Sequence, residues 1–187
     1  MDNKIKLGLV ITHFNRKEFV VPAIKRLMTD IVAKNEEISL VVVDNSQNIT
    51  EDEACGATII KNENYGGSGG FTRGLLYLKD NGFTHCLFMD DDASCEIESI
   101  LKTYDFFKKT DDPSFAIAGS LFDEENPTVL IDKGAEFHKG SWRPRHNGAD
   151  ISKPEDLKKV LQDERLADYG GWWFFAFNIS YVLIILL

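Results

Sequence analysis

The chain has 187 residues, with 21 Lys and Arg against 30 Asp and Glu, for a formal net charge of -9. Apolar residues make up 43% and charged residues 27%, which excludes wholesale disorder and suffices for a core without disulfides or a structural metal. The acidic balance argues against a nucleic-acid binder, which needs a basic face, but not against a phosphate-bearing small molecule in a local pocket. The three cysteines, Cys55, Cys86 and Cys95, are odd in number and lack Cys-x-x-Cys spacing. They point to a reducing cytoplasm rather than to a disulfide framework or a zinc site. The N-terminal apolar run is too short for a signal peptide.

Ile5 to Thr12 is an apolar run but for Lys6 and the closing Thr12, as expected of a strand buried on both faces. Arg16 to Asn35 has helical spacing, with Asn15 as its expected N-cap. Ser39 to Val43 predicts a second buried strand ending at Asp44-Asn45, and Ala57 to Lys61 a third. A glycine cluster, Gly66-Gly67-Ser68-Gly69-Gly70, precedes a helical stretch that Gly82 can end. His85 to Met89 predicts a fourth strand, running into Asp90-Asp91-Asp92. A helix from about Cys95 to Lys109 and a strand from Phe115 to Leu121 follow. This is a βαβ series, so the fold expected is α/β with a mostly parallel central sheet and flanking helices.

After Asp123 the texture changes. Val129 to Arg145 predicts a small antiparallel ribbon, and Ser152-Lys153-Pro154-Glu155 a capping box opening a helix to about Arg165. From Trp172 to Leu187 only Asn178 and Ser180 are polar. That run is too short for a membrane-spanning helix and reads as a core strand. We expect a single domain over residues 1–187, incomplete at its C-terminus.

Asp90-Asp91-Asp92 is the sharpest chemical feature. In extended chain, residues i and i+2 share a side, so Asp90 and Asp92 converge while Asp91 points away. Two carboxylates at the C-terminal end of a strand suit Mg²⁺ or Mn²⁺. The alternative is an acidic cluster serving the N-terminus of the following helix. The stretch Asn64 to Gly74 is the second feature. Its glycines let backbone N–H groups approach a phosphate or sugar, and Arg73, expected on the first helical turn, can reach a phosphate. The alternative is a flexible loop with a helix start. It matches neither a P-loop nor a dinucleotide fingerprint. The strand tips Thr12 to Arg16 and Asp44-Asn45 fall on the same sheet edge and can contact a base and ribose.

The order of these pieces resembles a family 2 glycosyltransferase with the GT-A fold. Its marks here are Thr12-x-x-Asn15-Arg16, Asp44-Asn45, the Asn64 to Gly74 stretch and the aspartate triplet. The wording Phe88-Met89-Asp90-Asp91-Asp92, the Gly-Gly-Ser-Gly-Gly-Phe run and Gly171-Trp172-Trp173-Phe174 look most like the galactofuranosyltransferases. The resemblance covers about Lys6 to Asn178.

The resemblance implies a GT-A, Rossmann-like fold and inverting, metal-dependent transfer from a UDP-sugar, UDP-galactofuranose foremost, to a cell-surface glycan or lipid-linked glycan. Thr12, Asn15, Arg16, Asp44 and Asn45 would hold the uridine end. Asn64, Gly66, Gly67, Ser68, Gly69 and Arg73 would hold the diphosphate or donor sugar, with Asp91 beside them. Asp90 and Asp92 would hold Mn²⁺ or Mg²⁺. Trp172 and Trp173 would line the acceptor site, core packing being their other use. In such enzymes the general base and a metal-ligating His come after the Trp-Trp region, so the base is expected beyond Leu187 and this chain alone is expected to be inactive. The expected setting is cytoplasmic, with room for peripheral contact at the inner membrane face and for self-association. A nucleotidyltransferase and an inactive sugar-nucleotide-binding fragment are the alternatives.

Overall fold

The computed structural model describes residues 4–127, 129–132, 134, 136–137, 144–145 and 167–181. The predicted helix from Ser152 to Arg165 falls outside them, as do residues 182–187. The chain divides into two compact units, one of residues 1–116 and 176–187, the other of residues 117–175.

The first unit carries β1 (Leu7–His13), α1 (Lys17–Asp30), β2 (Ile38–Asp44), α2 (Glu51–Ala54), β3 (Thr58–Lys61), α3 (Gly66–Asp80), β4 (His85–Asp90) and α4 (Ile97–Lys109). β1 pairs in parallel with β2 and with β4, and β2 with β3. With β5 (Ala116–Ala118) and β10 (Phe175–Asn178), the six-stranded order is β3-β2-β1-β4-β10-β5. The expected α/β architecture with a mostly parallel sheet is what the chain adopts.

Helices cover both faces of the sheet. On one face Phe88 of β4 meets Phe71 of α3, with ring centroids 4.6 Å apart. On the other, His85 of the same strand stacks on Phe107 of α4 at 4.2 Å. A strand buried on both sides must be apolar along its whole length, and Leu7, Leu9, Val10 and Ile11 are all buried. α3 sits close against β1 because glycines face it. A Cβ at Gly74 would overlap Val10, and one at Gly70 would overlap Thr12.

Several elements differ from expectation. The glycine cluster is not a loop before a helix but the opening turns of α3 itself, starting at Gly66 with φ 73°. Arg73 therefore lies seven residues into the helix, about 10 Å along its axis from the start, and not on its first turn. Asn15 does not cap α1. Arg16 occupies that position, and Asn15, at φ 56°, exchanges hydrogen bonds with Ser46 instead. The short helix α2 was not expected; Thr50 and Glu53 cap it reciprocally. The predicted strand from Phe115 to Leu121 is two strands, β5 and β6 (Leu121–Phe122), with Gly119 between them.

In the second unit β6 pairs antiparallel with β7 (Leu130–Asp132), and β8 (Glu136–Phe137) with β9 (Pro144–Arg145). β7, β8 and β9 fall within the ribbon expected over Val129 to Arg145, whereas β6 precedes it. Within the described residues the apolar tail forms a strand over Phe175–Asn178, and Asn178 Oδ1 then accepts the N–H of Ser180 and of Tyr181 in a helical turn. Among the described residues no helix is long and apolar enough to cross a membrane.

Candidate active site

The strand order reverses beside β1: the chain builds outward to β2 and β3, then returns to place β4 on the other flank. Connections that leave β1 and β4 in opposite directions open a crevice at the strands' C-terminal ends, where ligands of open α/β sheets bind. The register puts Thr12 directly opposite Asp90 across that point. Thr12 Oγ1 is buried and has no hydrogen-bond partner among the described residues. Gly70 of α3 lies against it, so the hydroxyl sits where the first turns of α3 pass over the sheet edge. The structure thus gathers the tips of β1, β2 and β4 and the start of α3 on one edge.

Alternation along extended chain stops at Asp90. The Ala93 N–H donates to the Asp90 carbonyl at 3.2 Å, so Asp91 and Asp92 lie within a turn. Asp91 turns into the protein and is 8% exposed. Its Oδ2 meets His13 Nδ1 and accepts the Phe14 N–H, each at 3.2 Å, and its Oδ1 accepts from Arg16 Nη1 at 3.3 Å. The same Arg16 nitrogen also binds Asp92 Oδ2. The Asp90 carboxylate is half-buried and has no hydrogen-bond or ion-pair partner among the described residues. Burial, then the Asp92 and Asp91 charges, push its carboxyl above the usual range. A carboxylate so placed gains from a cation.

The β2 tip is organised from within. Asp44 is fully buried, its Oδ1 accepting from Ser46 N at 3.0 Å and its Oδ2 from Ile49 N at 2.8 Å. Asn45 Oδ1 accepts from Asn62 Nδ2 at 2.9 Å, and Asn45 Nδ2 reaches the Gly66 carbonyl at 3.5 Å. This ties the β2 tip to the start of α3. Asn64 Oδ1 accepts the Gly66 N–H at 3.0 Å, a local turn that leads into the helix, whose N-cap position is Tyr65. Gly67 and Ser68 follow in the first turn of the helix, where amide hydrogens are free of intrahelical partners, while the Gly69 N–H falls to the helix's own first bond.

Sequence reasoning gave His13 and Phe14 no role of their own within the Thr12 to Arg16 tip, and passed over Asn48 and Asn62. His13 is fully buried between Asp91 Oδ2 and Asn48 Oδ1, each 3.2 Å away. Phe14, next to it, is held out at 45% exposure. A histidine closing a buried apolar strand was a legible signal, because such a ring requires polar partners nearby. Trp172 and Trp173 belong to the second unit, on a 3₁₀ turn over Trp172–Phe174. Trp172 is 43% exposed, whereas Trp173 packs over Gly171.

The family model described as glycosyl transferase family 2 matches residues 9–162. The chain belongs to glycosyl transferase family 2. It is 26% identical over 193 residues to the galactofuranosyltransferase GlfT2 of Mycolicibacterium smegmatis, covering 91% of this chain and 30% of that protein. The GlfT2 of Mycobacterium tuberculosis is also 26% identical, over 89% of this chain and 29% of its own length. The family 2 chain thus spans less than a third of these relatives. Among solved structures it resembles a mannosyltransferase from Pyrobaculum calidifontis in complex with GDP-Man and Mn²⁺ (TM-score 0.54, 14% identity, 97% of this chain and 47% of that one). It also resembles mannosyl-3-phosphoglycerate synthase from Rubrobacter xylanophilus (TM-score 0.52, 13% identity, 94% of this chain and 54% of that one). At such identities these two likenesses speak for the fold, which is GT-A.

Proposed function

We propose that this edge binds a UDP-sugar, UDP-galactofuranose foremost, together with a divalent cation, for inverting transfer of the sugar to a glycan hydroxyl. The observation that carries the reading is the Thr12–Asp90 pair at the switch point: an unpartnered buried hydroxyl opposite an unpartnered half-buried carboxylate, with the start of α3 above. The names of the two galactofuranosyltransferase relatives support the choice of sugar. The mannosyltransferase complex with Mn²⁺ supports a nucleotide sugar and a cation.

The residues fit a cation that is completed by its ligand. Among the described residues no group of three or more His, Cys, Asp and Glu side chains forms a metal cage. Asp90 and Asp92 offer two carboxylates, and Mg²⁺ or Mn²⁺ commonly takes its remaining ligands from water and phosphate. When bound, the ion would neutralise the diphosphate that departs from the sugar. Gly67 and Ser68 would direct their N–H groups at the same diphosphate, aided by the positive end of α3, with Gly69 leaving room for it to approach. Asn15, Arg16 and Asn45 line the approach for uridine. Phe14 offers it an exposed aromatic face. Asp44 acts by fixing the loop. The exposed face of Trp172 would stack on an acceptor sugar. Arg73, well along α3, would reach the donor only through its long side chain.

Calorimetry with the whole chain tests this. UDP should bind more tightly with Mn²⁺ or Mg²⁺ than with EDTA, and Asp90→Asn or Asp92→Asn should remove that difference. Equal affinity in both conditions would exclude the cation site. UTP or ATP outcompeting UDP by a wide margin would favour a nucleotidyltransferase.

A further inference from the structure

We infer that Arg16 is the resident counter-ion of the aspartate turn, displaced from Asp92 by the incoming divalent cation and then available to the diphosphate. The inference rests on the reading that Asp90 and Asp92 hold the cation. It explains how one chain keeps three adjacent carboxylates stable before any ligand arrives.

The three carboxylates are unequally satisfied. Asp91 has three donors, from His13, Phe14 and Arg16. Asp92 has one partner among the described residues, Arg16 Nη1, and Asp90 has none. Arg16 therefore holds two carboxylates in different settings. Asp91 is buried, while Asp92 and the Arg16 side chain are about half exposed, at 47% and 50%. An ion pair open to water is weak and exchanges readily, whereas the buried contact is screened less. A divalent cation that reaches Asp90 and Asp92 together replaces one positive charge with two and satisfies Asp90 as well. The guanidinium then gives up Asp92 and keeps Asp91.

Held at Asp91, Arg16 stays beside the cation with N–H donors freed. A diphosphate brought to that cation presents the paired oxygens that a guanidinium fork binds well. Without nucleotide, the cation must compete with Arg16 for Asp92. With nucleotide, Arg16 has another anion to meet. Each ligand therefore tightens the other, and by linkage the effect is the same in both directions.

The test measures binding rather than turnover. Free Mn²⁺ is followed by electron paramagnetic resonance without nucleotide, and UDP affinity by calorimetry with and without Mn²⁺. Arg16→Gln should bind Mn²⁺ alone several-fold more tightly than the wild type. The factor by which Mn²⁺ tightens UDP should shrink by about tenfold, within the usual range of coupling between sites. Arg16→Lys, which keeps the charge but loses the fork, should fall between. Lys17→Gln removes the same charge one residue away, from a side chain bonded to Asn48 and Glu53, and should change neither quantity. Unchanged or weaker Mn²⁺ binding by Arg16→Gln, or an equal effect of Lys17→Gln, overturns the inference while leaving the cation site intact. No dependence of UDP binding on Mn²⁺ in the wild type removes the cation site and the inference together.

Discussion

His13 Nδ1 lies 3.2 Å from Asp91 Oδ2 inside the protein, across 78 residues of sequence. The contact fastens the tip of β1 to the turn after β4, the two strands that flank the switch point. It makes Asp91 the structural member of the triplet.

Asp91→Asn should cost about 2–4 kcal/mol of stability, since one carboxylate serves a buried imidazole, a backbone N–H and a guanidinium. Asp90→Asn should be neutral or slightly stabilising, because it removes a half-buried charge pressed by two like charges. Urea unfolding of the two variants checks this. Equal losses would mean that the triplet acts as a unit.

The sheet was legible because its strands are covered on both faces and must be apolar throughout. The site's position was legible from the same pattern, since polar tips follow each run. The glycine cluster misled because clustered glycines favour loops. Their reason here is tertiary: Gly70 and Gly74 are spaced one turn apart where α3 must lie on Thr12 and Val10. The turn after Asp90 was hidden too, because alternation holds only while the chain stays extended. α2 carries the same Thr-x-x-Glu pattern as a capping box but buries only Ala54, so no apolar run announced it.

Gly70→Ala should lower stability by about 1–3 kcal/mol and weaken UDP binding. The new Cβ would overlap Thr12, forcing α3 away from the edge it covers. Gly67→Ala, where the Cβ meets open space, should leave stability within about 1 kcal/mol. Thermal melts with and without UDP separate the two. A Gly70→Ala protein with unchanged melting temperature and UDP affinity would mean that α3 does not close over Thr12.

Acid should weaken the fold through His85. Burial lowers this imidazole to about 4, against about 6.5 in an unfolded chain. Between those values the unfolded chain binds the extra proton and the folded chain does not. Stability therefore falls as pH drops from about 6.5 towards 4, and this contribution is flat above about 7. His85→Phe, which can keep the contact with Phe107, should remove about one proton from the slope in that window. Urea midpoints measured from pH 4 to 8 would show it, and an unchanged slope would place the acid sensitivity elsewhere.

Asp44 separates a loop-building role from a ligand-binding one. Its carboxylate is wholly buried, with one oxygen on Ser46 N and the other on Ile49 N. Asp44→Asn keeps the shape but turns one acceptor into a donor facing an N–H. The expected cost is about 1–3 kcal/mol of stability, the penalty for an unmatched buried amide. UDP affinity should drop by no more than a few-fold at temperatures where the variant is folded, because the loop shifts but no ligand contact is removed. Asn45→Ala should do the reverse. It cuts the bridge through Asn62 to the start of α3 and takes a polar group from the approach to the uridine site, so affinity falls more than stability. Urea unfolding and calorimetry on both variants decide it. A stable Asp44→Asn protein that has lost UDP binding would put that carboxylate on the nucleotide itself.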